Sequence, residues 1–453
     1  MTNLKSSGEM TVIVGAGVTG LTAAYILQRA GEQCVLLEAD ERVGGLCKTY
    51  IIDDIVFDLG PHLFFFNPDF EADRFIFDLL KDEKLINNRF RFAIHAQGRY
   101  WRMPFDVFDF LFFYPWRYKR EMLQGLLSRE KRISPDDKSL QAMISERSGH
   151  AYCVDVFAPV MEKKTLVPCN KLHRDWALRV ERDVRNRKVA SSGLDRVLSL
   201  RNRLLAILNP RYYYPSRGFE MIAQKLWNRY RKVGGETILK CGPVSFAKEK
   251  GRISEVIVQG MSFAVKNVIW TASINALNGL LSADVSPIHY GDLLIVLLTY
   301  NRQKRVRRPF AYTYHPDDDL IFNRIYYPDN IFKDKIPPDR EGICVEACIS
   351  PEVQKTSDKD IVARVIDDIE KLGLYKKVNL RKYQCLRLKD SMPIYELDYE
   401  DRIEQAFGLA RSYENLYSVG RTGGYFFCLT PASVGQGIKI ADHLLETAGK
   451  NEH

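Results

Sequence analysis

No run of 18 consecutive apolar residues occurs anywhere in this chain of 453 residues, so the sequence offers no conventional membrane-spanning helix. Met1 to Glu9 is polar and lacks the apolar stretch of an export signal, and the expected location is the cytoplasm. The nine cysteines, at 34, 47, 153, 169, 241, 344, 348, 385 and 428, form no Cys-x-x-Cys pair and no zinc spacing. An odd number in apolar surroundings fits reduced, buried thiols and argues against a disulfide framework. The eight histidines give no His-Glu-x-x-His or other compact metal spacing, so no metal is expected. A Gly-x-Ser-x-Gly elbow and a Gly-Lys-Ser/Thr loop are both missing, which removes serine hydrolases and P-loop kinases. Internal repeats, low-complexity segments and the aromatic-and-basic modules of nucleic-acid binders are missing too, and no nucleic-acid partner is expected.

What is there is ordinary globular material, 46% hydrophobic and 27% charged, too long for one core and expected to form two or three domains. Lys and Arg number 66 against 57 Asp and Glu, a balance of +9. Such an excess reads either as a solvated basic surface or as attraction for anionic ligands such as sugar diphosphates or a membrane face.

The most informative stretch is Val12-Ile13-Val14-Gly15-Ala16-Gly17-Val18-Thr19-Gly20, an apolar strand running into a glycine-rich turn. Gly15 permits the turn, Gly17 lets the backbone close on a pyrophosphate, and Gly20 lets a helix over Leu21 to Ala30 pack on the strand. A diphosphate then sits at the helix N-terminus, where free N–H groups and the helix dipole favour negative charge. A second strand from Cys34 ends in Glu38, eighteen residues after Gly20, where a ribose-binding acid belongs. A nicotinamide domain would continue into another helix; this chain instead spends a second glycine pair in Arg42-Val43-Gly44-Gly45-Leu46. Those glycines admit backbone to a second phosphate and a ribityl chain, Arg42 offers a charge-assisted contact, and the cofactor is read as FAD, held without a covalent bond.

These residues, with Gly60-Pro61-His62-Leu63-Phe64 and Gly420-Arg421-Thr422-Gly423-Gly424-Tyr425, resemble the FAD superfamily that contains amine oxidases, protoporphyrinogen oxidases, carotenoid desaturases and UDP-galactopyranose mutases. The first motif is similar to the Gly-Pro-His-Ile-Phe of bacterial UDP-galactopyranose mutases, the second to their Gly-Arg-x-Gly-x-Tyr. The resemblance implies that His62 and Arg421 lie beside the flavin and that Arg324 reaches the active site from a second sheet. It also implies that Gly242-Pro243-Val244 contacts the adenine. Where the mutases continue with an acidic, amide-bearing segment, this chain has Phe426-Phe427-Cys428-Leu429-Thr430-Pro431, a departure that touches the substrate. An anionic diphosphate wants arginine forks and tyrosine hydroxyls, for which Arg324, Tyr326, Tyr327, Tyr395 and Tyr425 are the candidates. Ser433-Val434-Gly435 is read as opening a helix from Ile438 that steadies the cofactor, with Gly420 and Arg421 next to it.

The organisation expected is α/β: a discontinuous Rossmann-type FAD-binding domain with an inserted helical and antiparallel-sheet substrate domain. The FAD-binding parts are 1–100, 209–285 and 406–453; the helical part is 101–208 and the substrate-binding sheet 286–405. A hairpin is expected to turn at Gln97-Gly98, and helices over 138–165 and 190–207. The aromatic run Phe105 to Tyr118, mixed with Arg117, Lys119 and Arg120, is read as rings buried in the helical domain, with a peripheral membrane patch as the less favoured alternative. The function expected is that of a flavoenzyme like the mutases, in which the resemblance implies attack of reduced flavin on a sugar's anomeric carbon with UDP displaced. Its substrate is then a nucleotide sugar and its partner a reductant. The alternative is an amine oxidase, protoporphyrinogen-oxidase-like oxidase or desaturase with an electron acceptor. A non-catalytic flavoprotein partner leaves His62 and Arg421 without a role.

Overall fold

The computed structural model describes residues 8–89, 91–103, 110–112, 114–127, 137–179, 211–282, 284–303, 309–332 and 335–451. Met10–Val14 forms β1, with every residue buried. Gly15, at φ +104°, turns the chain into α1, Val18–Arg29, which returns it to β2, Cys34–Leu37, parallel to β1. A Cβ on Gly20 would stand 2.0 Å from the Gly15 carbonyl oxygen, so only glycine lets α1 lie this close to its own turn.

β1 and β2 lie within a seven-stranded sheet. Glu236–Ile238 extends it parallel beyond β2, and Met261–Trp270 runs parallel to β1 on the other side. The long strand Met261–Trp270 serves two arrangements. Its first residues pair antiparallel with Arg252–Val258, while Val268–Trp270 also pairs parallel with Leu416–Ser418. Parallel strands are covered on both faces, which is why β1 and β2 read as unbroken apolar runs. α1 packs against the helices Glu220–Lys232 and Thr430–Asn451 in one continuous core.

A second seven-stranded sheet has the order Leu380–Pro393, Tyr290–Asn301, Arg340–Cys348, Arg324–Tyr326, Tyr312–Tyr314, Phe92–Ala96, Arg99–Met103. Strand alternation splits its faces: Ile295 and Leu297 join the core of the dinucleotide half, while Leu294, Val296 and Leu298 pack under the helix Asp358–Lys371. The α/β class and the Rossmann-type architecture are as expected.

Several details differ. The hairpin Phe92–Met103 forms, turning at Gln97-Gly98, but Phe92–Ile94 pairs with Tyr312–Tyr314 in the second sheet. A boundary at residue 100 therefore cuts this hairpin, and the chain leaves the first layer before Phe92. The expected helix over 138–165 is broken into Leu140–Ser148 and Ala158–Thr165 by Gly149, at φ +88°, and a π turn at Cys153–Phe157. The last helix begins at Thr430 rather than Ile438, with Pro431 at a position its fixed φ suits. Its internal Gly437 is required by packing, since a Cβ there would come 2.6 Å from the Thr19 carbonyl oxygen. Of the aromatic run, Tyr114 and Tyr118 pack on Trp101, but Phe112 and Trp116 are 67% and 70% exposed. Phe105, Phe108, Phe113 and the helix expected over 190–207 lie outside the described residues. No described helix is long and apolar enough to cross a membrane.

Two glycines separate packing from propensity. Gly20→Ala is expected to lower the unfolding free energy by about 2 kcal/mol or more, because backbone must move to admit the methyl group. Gly408→Ala, in the helix Tyr399–Arg411 with open space around its Cα, is expected to raise it by about 0.5–1 kcal/mol. Urea denaturation of both variants checks the pair.

Candidate active site

The two glycine-rich turns meet. The Gly44 N–H donates to the Ala16 carbonyl at 2.8 Å, and Gly17 and Gly44 form an isolated parallel bridge. A Cβ on Gly45 would lie 3.2 Å from the Gly17 Cα, whereas a Cβ on Gly17 would meet nothing within 4 Å. Gly17 thus faces open space at the N-terminus of α1, where no side chain caps the helix. Leading N–H groups and a clear approach are what a diphosphate needs, so the residues present fit a dinucleotide. Glu38 ends β2 with its carboxylate accepting from the N–H groups of Ala16 (2.8 Å) and Asp40 (2.9 Å). The Cys241 N–H donates to the Glu38 carbonyl, which brings Gly242-Pro243-Val244 to the same end of the sheet, with Val244 buried.

Other expected cofactor residues are placed differently. The Arg42 guanidinium pairs with Glu220 at 3.3 Å and lies 4.8 Å over the Tyr50 ring, so its charge is already matched. Thr19 donates to the Ser433 carbonyl at 3.0 Å, Val434 is fully buried, and Gly435 faces Ala72. These four hold the last helix to its neighbours instead of opening it. Gly420, at φ +92°, donates to the Gln436 side chain at 2.8 Å and starts the short helix Gly420–Gly423 that carries Arg421.

His62, Arg324 and Arg421 come together from three distant segments. His62 follows the strand Ile55–Asp58, the Gly60 turn at φ +90° and half-buried Pro61; its ring stacks on Phe219 at 4.8 Å. Its Nε2 is buried without a partner among the described residues. Burial, reinforced by the positive charges of Arg421 and Arg324, holds the imidazole down to about 4 against an opposing contact with the Leu46 backbone. His62 is therefore neutral at pH 7, with one ring nitrogen to donate and one to accept. Arg324 stands on Arg324–Tyr326 and pairs with Glu346, its cross-strand neighbour. The pair reaches the Gly60 turn: a Cβ there would lie 3.0 Å from Glu346 Oε2 and 3.2 Å from Arg324 Nη2. Arg421 donates to the carbonyls of Ser391 (3.2 Å) and Cys428 (2.9 Å) over the Phe427 ring, and makes no ion pair among the described residues.

The expected tyrosines are distributed by strand alternation. Tyr326 shares a face with Arg324 and is buried, its hydroxyl 3.4 Å from that of Tyr214, which donates to Asp58. Tyr327 falls on the opposite face, beside Thr313 at 3.0 Å, in the core under Asp358–Lys371. Tyr395 donates to the Tyr425 carbonyl at 3.0 Å and accepts from the Phe427 N–H at 2.7 Å. The Tyr425 hydroxyl lies on the carbonyls of His289 and Ile394. The Tyr425 hydroxyl is spent on backbone, and that of Tyr395 on backbone and on the Arg179 guanidinium, which donates to it at 3.1 Å; together they fix the loop that sets Phe427 under Arg421.

Sequence reasoning missed Glu346 and Asp58. Asp58 is the lone acid of an apolar strand and Glu346 interrupts the apolar run Ile343 to Ala347, which was the available signal. Asp58 accepts from Thr49, Tyr214 and the Phe219 N–H (3.0 Å), and burial pushes its carboxyl up to about 6. His95, His315 and Asp317 bring potential ligand atoms within 4.8 Å of one another, a grouping that spacing along the chain could not reveal.

The chain matches the family model for flavin containing amine oxidoreductase over residues 18–387 and belongs to that family. It is a flavin-dependent enzyme of the oxidoreductase superfamily, and its cofactor is FAD. Among curated proteins it is 54% identical to the L-amino-acid oxidase of Sistrurus catenatus edwardsii over 56 residues, 12% of this chain and 11% of that one. A Bothrops jararacussu L-amino-acid oxidase is 58% identical over 45 residues, 10% of this chain and 9% of that one, so the match spans about a tenth of these relatives. Among solved structures, a reduced UDP-galactopyranose mutase superimposes with a TM-score of 0.75 at 17% identity, covering 97% of this chain and 96% of that one. A putative protoporphyrinogen oxidase from Exiguobacterium sp. 255-15 also reaches 0.75, at 20% identity over 97% and 99%. Putrescine oxidase bound to putrescine gives 0.59 at 16% identity over 97% and 99%. At these identities the likeness is one of fold.

Two outcomes follow from the geometry. Gly17→Ala is expected to keep its urea midpoint yet weaken FAD binding at least about tenfold, because its methyl group occupies ligand space alone. In NMR titration of the flavin-free protein, the His62 imidazole is expected to stay neutral down to about pH 4, and Arg421→Met to move its midpoint upward, since a repelling cation is gone.

Proposed function

We propose that this protein holds FAD non-covalently and acts on a nucleotide sugar in the manner of a UDP-galactopyranose mutase, with the flavin reduced. The observation that carries the reading is the convergence of Arg324 and Arg421 on neutral His62, with Glu346 the single carboxylate bonded to either guanidinium among the described residues. A site with surplus fixed positive charge suits a diphosphate, which arginine forks bind with directional hydrogen bonds. Bound reduced flavin supplies an electron-rich ring. The chain's own groups do the rest: Gly17 and the α1 N-terminus seat the cofactor pyrophosphate, and Glu38 holds the ribose. Arg421 and Arg324 orient the substrate's diphosphate, and His62 places a neutral hydrogen-bonding edge against the reacting centre.

A second reading, an FAD-dependent oxidase or desaturase like the amine or protoporphyrinogen oxidases, is supported by the family match and by the apolar Phe426-Phe427 that stands in for the mutases' polar segment. In that case an electron acceptor replaces the reductant. A substrate arriving as a free cation is disfavoured by the same surplus charge.

UDP titration of the dithionite-reduced protein decides between them. Each arginine contributes about 1.5–3 kcal/mol through charge-assisted hydrogen bonds, so Arg421→Lys and Arg324→Lys are expected to weaken UDP binding by roughly one to two orders of magnitude. Lysine keeps a partner for Glu346 but loses the planar fork. Absence of UDP binding to reduced wild type removes the mutase reading and leaves the oxidase.

A further inference from the structure

Lys164, near the end of the helix Ala158–Thr165, is buried, yet among the described residues its ammonium makes no hydrogen bond and no ion pair. Buried ammonium groups are ordinarily paired, because burial strips a charge of its hydration. Its neighbour Lys163 follows that rule by donating to the Asp317 carbonyl. Lys164 is instead boxed by rings, with its Nζ 4.9 Å from the centroid of Trp176, 5.7 Å from Tyr314 and 5.8 Å from Phe427. Three π faces offset only part of the lost hydration.

The box is shared. Phe427 also lies under Arg421, with Cζ 4.5 Å from its centroid, and Tyr314 under Arg324 at 5.7 Å. Trp176 stacks on Phe427 at 4.6 Å and buries an indole N–H that has no partner among the described residues. Three cations thus adjoin one aromatic cluster, and among the described residues the one carboxylate bonded to any of them is Glu346, which belongs to Arg324. Although burial acts to raise the proton affinity of the Tyr314 hydroxyl, Lys164 and Arg324 bring it below the ordinary phenol range. A cluster with this much uncompensated positive charge is completed by an anion.

We propose that Lys164 is an anion-binding residue that, with Arg324 and Arg421, holds a carboxylate or phosphate group of the substrate at the edge of the Trp176, Tyr314 and Phe427 box. The proposal rests on the reading that substrate occupies the cleft beside His62, and it holds for a nucleotide sugar or for an acidic oxidase substrate alike.

The test uses the FAD-loaded, oxidised protein titrated with inorganic phosphate and, separately, with acetate, read by calorimetry and by perturbation of the flavin absorbance. Wild type is expected to bind at least one of the two, and which one tells phosphate from carboxylate. Lys164→Met, and Lys164→Gln as a second variant, should lose at least tenfold in that affinity while the melting temperature does not fall, because an uncompensated buried charge has been removed. Unchanged anion binding in the variants, with or without a lower melting temperature, overturns the proposal, as does wild type that binds neither anion. If reduced wild type fails to bind UDP but the oxidised protein binds phosphate or acetate in a Lys164-dependent way, the mutase reading falls and this one stands.

Discussion

The two layers of this protein touch at Gly60. There the ion pair of Arg324 and Glu346, carried on the second sheet, meets a backbone turn of the first layer, where a Cβ would fall 3.0 Å from Glu346 Oε2 and 3.2 Å from Arg324 Nη2. Any other residue at that position would be strained at this positive φ and would crowd the tips of the ion pair. The same turn, at φ +90°, delivers His62 onto Phe219 and below Arg421. One turn without a side chain therefore brings the ion pair of one sheet and the imidazole of the other layer to the same place.

Burial acts on the site in a consistent direction. It pulls the His62 imidazole down and pushes the Asp58 carboxyl up, so both groups are drawn toward their uncharged forms. Guanidinium groups resist this, because their proton affinity lies too far above neutrality to be lost. The cleft thus sets a neutral imidazole among permanent positive charges, of which Arg324 is matched by Glu346. Such an arrangement discriminates by ligand charge more than by pH.

The dinucleotide half was legible in the sequence because its determinants are local: strand, Gly15 to Gly20, α1 and Glu38 all lie within one short unit, and each glycine answers a steric demand next to it. The convergence of His62 and Arg421 was legible only through resemblance, since no periodicity relates residues so far apart. Tyr327 was misplaced by a single step of strand alternation, which a short strand between loops does not announce. Tyr395 and Tyr425 were read as substrate hydroxyls because composition cannot tell whether a backbone carbonyl already waits for them. Glu346 and Lys164 escaped for a related reason: what matters about each is the partner it has or lacks, and that is decided by how separate strands and helices come together in the fold.

The strand Met261–Trp270 has a consequence for how the molecule comes into being. During synthesis β1 is made long before its second neighbour, the strand Met261–Trp270, and Leu416–Ser418 arrives later still. Until Met261–Trp270 is made, one edge of β1 has no mate, and non-local parallel pairing of this kind is slow and prone to aggregation. Completion of the cofactor half therefore waits on a strand far from either glycine turn, and a change in Met261–Trp270 would disturb the dinucleotide fold as surely as one within the turns.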